Sequence, residues 1–141
     1  MTDITEAGHL PVASFVGDNV VRISPRATLY EIVDALADAE VGALVVGDGD
    51  SVDAVVTERD VVRALAGRRD PATTLAADIG HTKLIWCDST ASVVEVAMVM
   101  MAHYVRHILL ENDGKLIGIV SARDLLGVYA ADEPTPDDDN W

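Results

Sequence analysis

The feature that most limits how this chain can fold is a repeat. Val55-Val56-Thr57-Glu58-Arg59-Asp60-Val61-Val62 is answered by Ile119-Val120-Ser121-Ala122-Arg123-Asp124-Leu125-Leu126. Asp60 falls on Asp124, a shift of 64 residues, and the same shift carries Ala27 onto Ala91, Glu31 onto Glu95 and Val41 onto Val105 without a gap. Few paired residues are identical; hydrophobic class and turn position are what persist. A fixed-period repeat marks one supersecondary unit used twice, so the chain should form two pseudo-symmetric halves. A single copy, at about 60 residues, would be marginal alone, because small domains bury too little surface.

Each copy reads strand–helix–strand–strand–helix. In the first, Val20-Val21-Arg22-Ile23 is a short strand ended by Ser24-Pro25. Thr28 and Glu31 form a capping-box pattern that opens a helix, with Leu29, Ile32, Val33 and Leu36 at helical spacing as its buried stripe. Ala43 to Val46 and Val52 to Val56 are strands joined by Gly47-Asp48-Gly49-Asp50, a turn composition, and Thr57 caps a helix containing Val61, Val62 and Leu65. In the second copy, Leu84 to Cys87 is the first strand and Ser92-x-x-Glu95 is again a capping box. The stripe there is Val93, Val96, Val99 and Met100, and Met98, Met100 and Met101 are expected in core or dimer-face packing. Ile108 to Leu110 and Leu116 to Val120 flank the turn Glu111-Asn112-Asp113-Gly114. These limits place the repeats at residues 10–66 and 75–130, with a connector at 67–74. The acidic, Pro-containing stretch at 131–141 lacks periodicity and is expected to be a flexible tail.

Charge and cysteine content narrow the function. With 24 acidic and 10 basic residues the formal net charge is −14, which opposes the phosphate contacts of nucleic-acid binding and disfavours an anionic membrane surface. Cys87 stands alone in an apolar strand, so no intramolecular disulfide exists and a buried, unreactive thiol is expected. No secretory signal and no run of about 18 apolar residues is found, so a cytoplasmic protein is expected. His9, His81, His103 and His107 lack the companion carboxylates of a zinc site, and no metal is expected. No nucleophile stands beside a base and no Gly-rich phosphate loop is present, so the chain does not read as an enzyme.

The repeated grammar resembles the CBS domain pair, the Bateman module, from about Leu10 to Ala130. The specific element is a strand ending in Gly, then a hydrophobic residue, any residue, Thr or Ser, two residues, and Asp. Gly118-Ile119-Val120-Ser121-Ala122-Arg123-Asp124 follows it, whereas Ala54-Val55-Val56-Thr57-Glu58-Arg59-Asp60 has Ala54 in place of Gly. The resemblance implies an α+β fold of two tandem β-α-β-β-α repeats packed sheet to sheet with pseudo-two-fold symmetry. It implies a homodimer, and clefts between repeats that take an adenosine-containing ligand such as AMP, ADP, ATP, S-adenosylmethionine or NAD. The Asp would bond ribose hydroxyls and the Thr or Ser would lie near ribose and phosphate. Thr57, Asp60, Ser121 and Asp124 become the candidate ligand residues. Thr-x-x-Asp and Ser-x-x-Asp are equally ordinary helix caps, and the two roles are compatible.

Basic residues break the symmetry. Arg106 and His107 open the second strand of repeat two, where repeat one has Gly42 and Ala43. In nucleotide-binding relatives of this family the strand start carries phosphate contacts, so Arg106 and His107 are candidates for that role. Arg59 and Arg123, each just before the motif Asp, are further candidates, with ion pairing to neighbouring acids as the alternative. Two functions remain in play: a stand-alone regulatory module that signals through oligomer state or an unknown protein partner, and a ligand-free interaction scaffold. Any adenosyl compound would be a regulatory ligand rather than a resident cofactor. Ala54 and the acidic balance favour the scaffold; the second copy favours a sensor.

Overall fold

The computed structural model describes residues 8–15 and 20–130, so the acidic tail expected at 131–141 lies outside the described residues. The chain divides into two units. One runs from Asn19 to Leu84, and the other joins the N-terminal residues 8–15 to the chain from Ile85 onward.

The first unit contains β1 (Arg22–Ile23), α1 (Leu29–Ala39), β2 (Ala43–Val46), β3 (Ala54–Thr57), α2 (Glu58–Ala66) and the single turn α3 (Ala76–Ile79). β1 runs parallel to β2 and β2 antiparallel to β3, giving the sheet order β1-β2-β3. α1 forms because Thr28 caps it as the spacing requires. Thr28 Oγ1 accepts from Glu31 N and Glu31 Oε1 accepts from Thr28 N. Leu29, Ile32 and Leu36 are buried against Leu44, Val46 and Val56 of the sheet. Val33, assigned to this stripe from spacing, is instead 40% exposed. The mean helical stripe is narrower than the periodic residues allow, and Val33 lies at its edge.

The second unit repeats the order with β4 (Trp86–Asp88), α4 (Val93–His103), β5 (His107–Asn112), β6 (Lys115–Ser121) and α5 (Ala122–Ala130), again with the first strand parallel and the third antiparallel to the middle one. Its core is Val12, Val93, Val96, Ile108, Leu110 and Val120, all essentially inaccessible. The β5–β6 hairpin closes through Asp113 and Gly114, both at positive φ (52° and 76°), the backbone of a two-residue type I′ turn. Ser92 Oγ accepts from Glu95 N, but the return bond of a capping box is missing, because Glu95 Oε1 takes the Ser92 hydroxyl instead. Met100 is buried, whereas Met98 and Met101 are exposed on the outer face of α4. Cys87 is half-buried rather than enclosed; burial, and then the Glu95 carboxylate, push its thiol pKa up.

Short segments ahead of the first strands complete each unit. Val12 N donates to Ala91 O and Val93 N to Leu10 O, which fastens a 3-10 turn at Val12–Phe15 to the start of α4. Sixty-four residues on, Ala76 N donates to Ala27 O and Leu29 N to Thr74 O, which fastens the α3 segment to the start of α1 in the same way. Each copy's leading segment therefore packs in the unit built by the other copy's sheet. The sequence register gives no hint of this exchange. No helix among the described residues is long and apolar enough to cross a membrane.

Candidate functional site

The motif residues sit where a strand passes directly into a helix. Thr57 ends β3 in extended backbone (φ −117°, ψ 167°) and caps α2. Asp60 Oδ2 accepts from Thr57 N at 2.8 Å and from Thr57 Oγ1 at 3.0 Å, while Thr57 Oγ1 accepts from Asp60 N at 3.3 Å. In the second copy Asp124 Oδ2 accepts from Ser121 N at 2.8 Å and Ser121 Oγ accepts from Asp124 N at 3.0 Å. Capping is thus real in both copies. What differs is what each carboxylate has left to offer.

Asp60 has nothing left. Its side chain is only 4% exposed, and its second oxygen, Oδ1, accepts from His81 Nε2 at 2.6 Å. A carboxylate this buried needs a compensating partner, and the imidazole supplies one. Asp124 is exposed, and among the described residues nothing pairs with its Oδ1. The Ser121 hydroxyl accepts but donates to no described residue, whereas the Thr57 hydroxyl is spent on Asp60.

Arg106 and His107 join this second cluster. Ala122 N, the first amide of α5, donates to Arg106 O at 2.8 Å, and His107 lies directly across the ladder from Ser121. Such cross-strand neighbours have Cβ atoms about 5 Å apart. Arg106 is exposed and His107 half-buried. The first copy has the same backbone frame, Glu58 N to Gly42 O and Ala43 opposite Thr57, with no side chain to use it. Arg59 and Arg123 are both exposed and form no ion pair with any described residue. Each sits in the first turn of its helix, where the dipole disfavours a cation, so neither gains from its position until an anion arrives.

An exposed carboxylate, a part-buried hydroxyl and two exposed arginines therefore belong to residues at the start of α5 or joined to it by backbone bonds. The arrangement can accept from vicinal hydroxyls through Asp124 and donate to an anion through Ser121 and Arg106. Among the described residues no group of three or more His, Cys, Asp or Glu is placed to hold a metal ion.

His81 is the functional side chain that sequence reasoning passed over, having weighed it only as a metal ligand. Its neighbourhood is built by backbone. His81 N donates to Val55 O at 2.8 Å and Val55 N to His81 O at 3.0 Å, an isolated antiparallel bridge on the edge of β3. Gly80 makes the approach: a Cβ there would stand 3.0 Å from Ala54 Cβ and 3.1 Å from Ala76 O. Ala54, the departure from the expected Gly, is thus packed against Gly80.

Comparison with known proteins agrees with this architecture. The family model described as the CBS domain matches twice, at residues 12–67 and 76–131. Hypoxic response protein 1 of Mycobacterium tuberculosis is 31% identical over 108 residues, 75% of this chain and 76% of that protein. Among solved structures, a protein with CBS domains from Burkholderia ambifaria superimposes with a TM-score of 0.80 at 29% identity, covering 86% of this chain and 90% of the other. A CBS domain protein from Pyrobaculum aerophilum, solved in complex with AMP, gives a TM-score of 0.73 at 30% identity, covering 86% and 99%. With the motif, the strand order and both copies in agreement, the chain belongs to the CBS domain family as a tandem pair.

Proposed function

We propose that this chain is a non-catalytic regulatory CBS pair that binds an adenosine-containing ligand, with AMP, ADP, ATP, S-adenosylmethionine and NAD as the candidates, at the second copy's motif. The observation that carries this reading is the unpartnered, exposed Oδ1 of Asp124 beside the Ser121 hydroxyl, with Arg106 and Arg123 exposed at the same helix start. Asp124 would accept from the ribose hydroxyls. Ser121, Arg106, His107 and Arg123 would hold the phosphate or other anionic end, giving a local positive charge on a chain of net charge −14. The AMP complex of the P. aerophilum protein supports the ligand class. Thr57, Asp60 and Arg59 form the corresponding but closed motif.

Output would run through oligomer state or a protein partner. Val62 and Leu65 on α2, Met98 and Met101 on α4 and Leu126 on α5 are exposed apolar side chains that support a homodimer. A thermal-shift screen against the five candidates tests the reading. A ligand at 100 times its dissociation constant adds about 2.7 kcal/mol of stability, a rise of several degrees. The rise should vanish in Asp124→Ala and persist in a surface control such as Lys115→Ala. No rise with any candidate would favour the scaffold reading, to which the closed Asp60 already lends weight.

A further inference from the structure

In the first copy the motif carboxylate is engaged by the protein itself. Asp60 Oδ1, the counterpart of the free oxygen on Asp124, is held at 2.6 Å by His81 Nε2. The imidazole is not there by chance of rotamer. Two backbone hydrogen bonds clamp His81 to Val55, two residues before Thr57, and Gly80 lets the segment press onto Ala54 where a side chain would collide. The donor therefore comes from a segment fixed at both ends of the reach, by the α3 turn behind it and by the β3 edge beneath it. Its side chain remains 52% exposed, so it can turn outward into solvent without unpacking a core.

Among the described residues no side-chain donor reaches Asp124 Oδ1 in the second copy. The same register that equips the second copy with Arg106 and His107 equips the first with a plug.

We propose that His81 is an internal gate on a latent first-copy ligand site. It occupies the diol-accepting carboxylate of Asp60 and thereby limits the protein to one ligand per chain. The inference rests on the adenosine-ligand reading for the probe but not on which copy binds. A ligand reaches Asp60 only when its hydroxyls displace the imidazole, so the first site is weaker in the native chain and opens when His81 is removed.

Isothermal titration with AMP, on the full chain, tests this. Wild type should bind one AMP per chain and His81→Ala two. His81→Gln keeps an amide donor near the Nε2 position and should stay at one, and His81→Ala/Asp60→Asn should return to one. Circular dichroism of each variant confirms that the count refers to folded protein. Backbone amide NMR locates the sites: AMP should move Ser121 and Asp124 in wild type, and Thr57 and Asp60 as well in His81→Ala. If His81→Ala still binds one AMP, or if AMP moves Thr57 and Asp60 in wild type, the gate is refuted. If wild type binds none while His81→Ala binds one through Asp60, the gate stands and the Asp124 reading falls. If neither binds, both fall.

Discussion

The two motif aspartates, equivalent in sequence, should differ sharply in what they contribute to stability. Asp60 accepts from Thr57 N, Thr57 Oγ1 and His81 Nε2 at 2.8, 3.0 and 2.6 Å while almost wholly buried. Hydrogen bonds to a charged group contribute about 1.5–3 kcal/mol each, but three on one carboxylate share a common desolvation cost and do not add. Asp60→Ala also leaves the Thr57 amide unsatisfied at a part-buried position, so a loss of about 3 kcal/mol is expected. Asp124 makes a single backbone-directed cap bond in an exposed setting, where water replaces the carboxylate, and Asp124→Ala should cost about 0.5–1 kcal/mol. For a chain of this size 1 kcal/mol moves the melting temperature by about 3–4 °C. Thermal unfolding without ligand should therefore show a fall of about 10 °C for Asp60→Ala and about 3 °C for Asp124→Ala. A double-mutant cycle with His81→Ala isolates the His81–Asp60 hydrogen bond. Because the imidazole is half exposed, its coupling to Asp60 should be only about 1 kcal/mol. Equal falls for the two aspartates would refute the reasoning, since they would mean that Asp60 is neither buried nor partnered in solution.

Two further outcomes follow from local geometry. Gly47 closes the turn after β2, and a Cβ there would stand 2.1 Å from Ser51 O and 2.8 Å from Ser51 C, both backbone atoms. Gly47→Ala should cost about 3 kcal/mol or more, whereas Gly67→Ala, whose nearest neighbour would be at 3.4 Å, should change denaturant stability by less than about 1 kcal/mol; similar values for both would contradict the turn geometry. Burial, then Glu95, raises the Cys87 thiol pKa, so at any given pH less thiolate is present than in a free thiol. Alkylation by iodoacetamide should need higher pH in the native protein than after denaturation, and identical pH–rate curves for the two states would exclude the effect.

The strand and helix order was legible because each signal is local. Capping pairs at Thr28 and Thr57, the Asp113-Gly114 hairpin and the apolar runs of β2 and β5 all act within a few residues. Exposure on the helices was less legible. Val33 carries the right spacing, yet it lies at the edge of the stripe that meets the sheet and is 40% exposed. The site was half legible. Arg106, His107, Ser121 and Asp124 could be gathered because strand pairing across β5 and β6 follows directly from the hairpin register. His81 could not be, since Gly80-His81 looks like connector sequence and meets Asp60 only through a bridge to Val55.

That omission has a physical source in the exchange of leading segments. In a simple tandem repeat every side chain near a motif would come from the same copy, and a comparison at fixed shift would expose all differences. Here the segment at residues 74–81 completes the unit built around β1, β2 and β3, and Leu10 to Phe15 complete the other. A substitution ahead of one copy therefore alters the motif of the other. Ala54, where the motif expects Gly, lies against Gly80, and the next residue, His81, bonds Asp60. Ala54→Gly alone should leave the first motif closed, because the backbone clamp on His81 and its bond to Asp60 do not depend on the Ala54 methyl. The asymmetry between the copies therefore includes the donor that Gly80-His81 brings to Asp60 as well as the motif residues themselves.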